Sequence, residues 1–301
     1  MRYAFYTGCA AKGAAPELYV STRLVAQKLG LEMVELTSAA CCGAGVITEA
    51  DPELAVALNA RTFAMAEAEG LDIMTICGTC QGVMSQMNQQ LSQDPDLLKR
   101  VNLFLEKEGL HYSGKVKIKH FLWILLDDVG VDRLKELVTT PLKNLQIAPF
   151  YGCYILRPSS ALGYDDPNNP TSLEKVIEAL GGEAVSYEGR NKCCGFPVIL
   201  ESPEVGLAMT GKRLEEAKSA HADVMVTPCP LCHMNLDLQQ ERSEKHLKKS
   251  FQMPILHLPQ LVGLAMGFSP VAMQMMRHFI PLDSLVGKIK TGGQNARLRM
   301  V

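Results

Sequence analysis

Ten cysteines fall into two sets of five with nearly the same spelling. The first set is Cys9, then Cys41-Cys42-Gly43, then Cys77-x-x-Cys80; the second is Cys153, then Cys193-Cys194-Gly195, then Cys229-x-x-Cys232. In both, 33 residues separate the CCG glycine from the CxxC, while 31 and 39 residues separate the first cysteine from its CCG. Five clustered thiols suggest a metal–sulfur site with five thiolate ligands, present twice. Disulfides fit poorly, because five is odd and a reducing compartment keeps thiols free. Zinc is the serious alternative, yet a tetrahedral site takes four ligands and leaves one thiol surplus in each set. A redox dithiol at Cys77-Gly78-Thr79-Cys80 would leave the CCG cysteines unused. Iron–sulfur ligation fits best. Adjacent cysteines hold two irons of one cluster more easily than a single iron.

The elements that must position these thiols also come twice. Arg2 to Tyr6 and Leu145 to Phe150 are short apolar runs, each ending shortly before the first cysteine of its set. A helix follows each, marked by Leu18, Thr22, Val25 and Leu29 with Gly30 as its stop, and by Leu173, Val176, Ile177 and Leu180 before Gly181. Second strands, Glu32 to Leu36 and Glu183 to Tyr187, precede the CCG turns. Asp51-Pro52-Glu53 and Ser202-Pro203-Glu204 read as an N-cap, a proline at the first helical position and an acidic first turn. Those helices run to about Gly70 and Ala220, and third strands, Asp72 to Ile76 and Asp223 to Thr227, deliver the CxxC. Lys115 to Lys119 reads as an edge strand and His120 to Val138 as a helix, echoed at Ile255-Leu256-His257.

Strands alternating with helices predict βαβ crossovers, so the fold class is α/β with a small parallel sheet flanked by helices in each half. Ligands bind beyond the carboxyl ends of such strands. The five thiols of each copy are therefore expected at one edge of one sheet, where helix N-termini favour anions. Two domains follow, 1–143 and 144–301, the second carrying a C-terminal helical segment and tail. The tail after Val286, with Lys288, Lys290, Arg297 and Arg299, reads as a mobile or docking segment.

At 301 residues, 47% hydrophobic and 21% charged, with net charge −2, the chain is an ordinary globular protein without a basic stripe for nucleic acid. No signal peptide is legible, and the apolar stretch 261–280 contains Pro270, Arg277 and His278, so no membrane span is expected. A cytoplasmic location follows. No GxGxxG follows a strand and no C-x2-C-x2-C run is present, so electrons must come through partner subunits.

The double C-x31-39-CCG-x33-CxxC pattern, with Phe150-Tyr151-Gly152-Cys153 and Pro228-Cys229-Pro230-Leu231-Cys232-His233, closely resembles the duplicated CCG domain in the B-type subunit of heterodisulfide reductase. The resemblance covers nearly the whole chain. It implies two pseudo-twofold related CCG domains, each holding a noncubane [4Fe–4S] cluster by its five cysteines, with no flavin and no nucleotide. All ten cysteines carry over as ligands. The two clusters would face each other and cleave a disulfide to two thiols, or run in reverse on a thiol or persulfide carrier in sulfur oxidation. The implied partners are a ferredoxin-like iron–sulfur subunit, a flavin-containing subunit and a small thiol, disulfide or carrier-bound sulfur substrate. Related chains also serve as the last subunit of some succinate dehydrogenases and thiol:fumarate reductases. An electron-transfer or anchoring subunit without its own substrate is thus the rival reading.

Disulfide cleavage needs two protons, and a group titrating near neutrality is suited to supply them. His120 and His257 recur at matching places after each CxxC, and His233 directly follows Cys232. These three are the candidate catalytic residues, against a simpler role as strand-end packing. Lys12, Arg157 and Lys192 lie within four residues of cysteines and could steer an anion, although such residues are usually solvated surface. The fifteen methionines, among them Met273, Met275 and Met276, read as packing filler or a subunit interface.

Overall fold

A computed structural model describes residues 1–292. Among the described residues eight short strands form two four-stranded sheets, entirely parallel: β1 (Arg2–Tyr6), β2 (Glu32–Glu35), β3 (Ile73–Thr75) and β4 (Ile118–His120) in the order β2-β1-β3-β4, then β5 (Gln146–Pro149), β6 (Glu183–Ala184), β7 (Val224–Thr227) and β8 (Ile255–His257) in the order β6-β5-β7-β8. Order and register repeat. Thr75 sits opposite His120 across β3 and β4, and Thr227 opposite His257 across β7 and β8. The sheets lie on either side of the expected division at 143/144.

The expected helices appear as Pro16–Leu29, Pro52–Ala68, Ser172–Ala179 and Pro203–Ser219. Gly30 ends the first at φ 74°, a left-handed cap that glycine adopts without strain. The Asp51 carboxylate accepts from Leu54 N–H at 3.0 Å, so the expected cap forms. Its counterpart does not: Ser202 makes no side-chain cap bond, and proline at the first helical position with backbone pairing from Gly206 carries that end instead. The strand expected at Glu183 to Tyr187 stops at Ala184, because the chain turns into a 3₁₀ segment, Glu188–Asn191, on the way to the CCG. β4 begins three residues later than expected and takes in His120. The helix expected over 120–138 is three pieces, Phe121–Ile124, a π-helical stretch Leu125–Gly130, and Val131–Glu136, broken where Gly130 takes φ 85°. The tail after Val286 is helical over part of its length, within Asp283–Gly292; Arg297 and Arg299 lie outside the described residues.

The halves exchange their closing helices. Leu258–Ala265, which follows β8, packs on Pro16–Leu29 of the first half, and the Phe121–Glu136 stretch packs on Ser172–Ala179 of the second. One apolar core consequently contains Phe5, Leu18 and Val25 together with Leu261 and Val262, and Leu122 and Leu134 together with Leu173 and Ile177. A second core, on the thiol-bearing side, also draws on both halves: Phe63 and Met84 join Leu214 and Leu236. Neither half is closed without the other. The chain is therefore expected to unfold in one calorimetric transition, and Leu173→Ala to cost about 2–5 kcal/mol across the whole transition. A trace with two resolved transitions, only one of them shifted, would show that the halves are energetically independent.

Candidate functional site

The thiols gather where the parallel strands end. Cys77 and Cys229 are N-cap residues of the helices Gly78–Gln93 and Pro230–Leu238, with nearly identical extended backbones (φ −130° and −133°). That geometry puts Cys80 and Cys232 in the first helical turns, where unpaired N–H groups and the helix dipole favour negative charge. Sulfur–sulfur distances are 3.8 Å for Cys9–Cys41 and 3.5 Å for Cys42–Cys80. Matching contacts join Cys153 to Cys193 and Cys194 to Cys232. All ten are free, and these separations are far from the ~2.05 Å of a disulfide. The sets also meet each other: Cys77 Sγ and Cys229 Sγ are 4.0 Å apart and buried. A cavity of about 50 Å³ is lined by all five cysteines of the first set and by Leu231 of the second half.

Two glycine positions make this approach possible. Gly8 and Gly152, each just before the first cysteine of its set, have φ 68° and 72°; a Cβ there would stand 3.2 Å from Cys80 Sγ and 2.9 Å from Cys232 Sγ. The CCG glycines are also left-handed, at φ 82° for Gly43 and 97° for Gly195, a region costly for other residues. Their turns are tied down from the following helix. Asn59 Nδ2 donates to Cys42 O at 2.9 Å, and Thr210, in the equivalent helical place, donates to Cys194 O at 3.0 Å with help from Asn235 Nδ2 at 2.8 Å. Nothing in the cysteine spacing reveals these anchors. A polar residue 16 or 17 positions beyond the second cysteine of the CCG, at the eighth residue of each following helix, is the signal that could have found them.

Crowding controls the charge. Hydrogen bonds from Cys42 and Cys9, with Gly43 N–H, pull Cys41 down to about 2; those from Cys153 and Cys194 pull Cys193 down to about 3. The neighbours go the other way. Cys42 is pushed up to about 11 by its partner Cys41 and by burial, and Cys9, Cys153 and Cys194 are raised for the same reasons. Cys229 is also held well below the usual thiol range, by hydrogen bonds from Cys232 and Cys77. One thiolate in the first set and two in the second are thus easy, and five are not unless a cationic group is bound among them. Ten sulfur donors with little compensating positive charge fit a group that is itself cationic toward thiolate, as iron in a sulfide cluster is.

The three candidate histidines are buried and engaged. His120 Nδ1 accepts from Leu122 N–H at 3.0 Å, and Nε2 donates to Pro228 O at 2.9 Å, in the other half. Gly78 N–H donates to the same carbonyl at 3.1 Å. His120 therefore holds the second CxxC loop against the first half. His257 reaches the opposite way, with Nε2 3.3 Å from Glu17 Oε1, and Arg277 Nε lies 3.2 Å from the other Glu17 oxygen. His233 stacks on His257 with ring centroids 3.7 Å apart, and its Nε2 is 3.2 Å from both Ile255 O and His278 Nδ1. Ligand atoms of Glu17, His233 and His257 lie within 4.8 Å of one another, but two stacked rings cannot both point in-plane lone pairs at one ion. None of the three histidines lines the thiol cavity.

Of the basic residues, Lys12 pairs with Glu35, and Arg157 donates to Asn191 O and Pro167 O; both are structural. Lys192 lines a cavity of about 260 Å³ beside Cys193 with Lys212, the buried Arg213 and Glu216. Arg213 helps hold the Cys193 thiol low, and the cysteine pattern does not mark it. Met273 and Met275 are buried filler, whereas Met276 is exposed.

A twofold set of thiols at the carboxyl edge of duplicated parallel sheets defines the class: a two-domain, cysteine-rich α/β protein. The family model described as "Cysteine-rich domain" (CCG) matches residues 3–85 and 147–237, and the chain belongs to that family and is a homologue of the B-type subunits of heterodisulfide reductases. It is 38% identical over 94% of its length, and 98% of the other chain, to the "8-methylmenaquinol:fumarate reductase membrane anchor subunit" of Wolinella succinogenes. It is 34% identical to a protein of Archaeoglobus profundus that is named as like the B-type subunit of heterodisulfide reductase, over 90% of this chain and 92% of that one. The B-type subunit of the ferredoxin/F420H2-dependent CoB-CoM heterodisulfide reductase of Methanosarcina acetivorans is 31% identical over 96% and 97%. A crystal structure of a hypothetical protein from Helicobacter pylori shares the fold (TM-score 0.74, 16% identity), covering 93% of this chain and 52% of that one. Among the described residues no helix is long and apolar enough to cross a membrane.

Burial lowers His120 and His278 to about 4, against an ordinary 6.5, and pushes His233 well below that value. Between those limits the unfolded chain binds more protons than the native one, so stability from neutral burial is present above pH 6.5 and lost as pH falls toward 4. Asp237, raised by burial to about 6 from 3.8, acts in the opposite sense over part of that window. Burial also lowers His257 and raises Glu174, so four histidines stand against two carboxylates and outweigh them. The urea midpoint is expected to be lower at pH 5 than at pH 7, and a midpoint that rises on acidification would contradict neutral burial.

Proposed function

We propose that the chain is the catalytic iron–sulfur subunit of a heterodisulfide reductase-type complex, with domains 1–143 and 144–301 each holding one noncubane [4Fe–4S] cluster through its five cysteines. The observation that carries this reading is the buried 4.0 Å contact between Cys77 and Cys229, which brings two five-thiol sets within one electron step of each other. When bound, such clusters store and pass single electrons, and a disulfide takes two. The protein's own part is to orient and insulate. Gly8 and Gly152 allow close sulfur approach, Asn59, Thr210 and Asn235 fix the CCG turns, and the apolar core around Phe63, Met84 and Leu236 excludes water from the inner side. The outer side is open: Cys9 and Cys41 are exposed, and Cys153 and Cys193 half-buried. A small thiol, disulfide or carrier-bound sulfur would approach there, since the inner contact is closed. His120, His233 and His257 act as positioning groups for the CxxC loops and the C-terminal segment, because each has a ring nitrogen bonded within the protein. Electrons would arrive from a ferredoxin-like iron–sulfur subunit and a flavin-containing subunit, in the cytoplasm, where free thiols persist.

A second reading draws its support from the Wolinella relative, which is a membrane anchor by name: an electron-transfer or anchoring subunit without a substrate. The two differ in whether sulfur substrate perturbs the site. Anaerobically purified, cluster-loaded protein is expected to give a new EPR signal with a small thiol under oxidising conditions; an unchanged spectrum would favour the anchor reading.

Iron analysis is expected to give about eight irons per chain, four per set. Cys42→Ser and Cys194→Ser should each lose about half of that iron, because each set closes its own site. Loss of all iron after either single change would argue against two sites, and two zinc ions with no iron would end the cluster reading.

A further inference from the structure

The two CxxC motifs are alike in their cysteines and unlike between them: Gly78-Thr79 in the first, Pro230-Leu231 in the second. Pseudo-twofold packing turns each motif toward the opposite site. Thr79, from the first half, puts its hydroxyl 3.3 Å from Cys229 Sγ of the second set and is itself buried. Leu231, its counterpart from the second half, lines the first-set cavity, which Thr79 also borders from its own side, and its side chain carries no hydroxyl. One site thus receives a hydroxyl from across the interface, and the other receives an isobutyl group.

We propose that Thr79 sets the redox potential of the second-set cluster from the first domain, making the two clusters electronically inequivalent. The inference rests on the two-cluster reading above. As a thiolate, Cys229 offers only acceptor lone pairs, so the Thr79 O–H donates. A hydrogen bond to ligand sulfur stabilises the more negative, reduced state more than the oxidised one, and so raises the potential. Leu231 offers no such donor to the first set. Solvent at the exposed Cys9 and Cys41 acts on the first site independently of these side chains. Thr79 is a positioning residue: it touches a ligand and neither binds substrate nor moves a proton. The backbone supports this division. Gly78 N–H and His120 Nε2 both donate to Pro228 O, just before Cys229, whereas Pro230 has no N–H with which to return the bond.

The test is an EPR-monitored redox titration of the cluster-loaded full chain, with iron content measured on every sample. Thr79→Val should shift one of the two midpoint potentials downward and leave the other in place, with Thr79→Ser restoring it. Leu231→Thr should shift the other midpoint upward. Should Thr79→Val fail to load iron, Leu231→Thr still decides. Full iron with both potentials unmoved in Thr79→Val or in Leu231→Thr, or Thr79→Ser behaving like Thr79→Val, overturns the inference while the cluster reading stands. Wild-type protein without iron would instead overturn the cluster reading itself.

Discussion

Cys77 and Cys229 meet at 4.0 Å in a buried contact, and the arrangement of the two halves follows from what that contact requires. Each cysteine caps a helix at the end of a central strand, so bringing the sulfurs together brings two sheet edges and two helix N-termini together. Those N-termini carry partial positive charge, which suits a site crowded with sulfur. The same crowding forbids five free thiolates in one pocket, as the opposed shifts of Cys41 and Cys42 illustrate. The scaffold is thus arranged around a charge that only a bound cationic group can balance.

Exchange of closing helices is the structural answer to that placement. With the thiol edge committed to the interface, part of each sheet would be left uncovered by its own chain segment. Leu258–Ala265 crosses to the Pro16–Leu29 helix, and the Phe121–Glu136 stretch crosses to Ser172–Ala179. The histidines at the starts of these crossing helices span the same boundary, His120 to Pro228 O and His257 to Glu17. Their burial keeps them neutral and bonded, which suits holding a loop better than delivering a proton.

Duplication has not preserved symmetry in detail. Asn59 anchors one CCG turn alone, while Thr210 and Asn235 share the other. Arg213 stands beside the second set at a helical place occupied by Thr62 in the first. Thr79 and Leu231 exchange a hydroxyl for an apolar side chain across the interface. Each difference places more fixed polarity near the second set, so two sites with one spelling have distinct surroundings.

Much of this was legible in the sequence, because it is local. Alternating apolar runs and helical periods determine strands and helices over a few residues, and parallel crossovers then oblige Cys9 and Cys77 to share the edge of one sheet, and Cys153 and Cys229 the edge of the other. The Asp51 cap was readable for the same reason; the failed cap at Ser202, the shortened β6 and the broken helix after His120 were not, since each depends on where the chain must go next. Across the boundary, sequence offered almost no signal. Which half closes on which, that Thr79 faces Cys229 and that Glu17 receives His257 are contacts between residues up to 240 positions apart. Spacing within one copy carries no information about its distance to the other, and only the packing of two sheets edge to edge decides it.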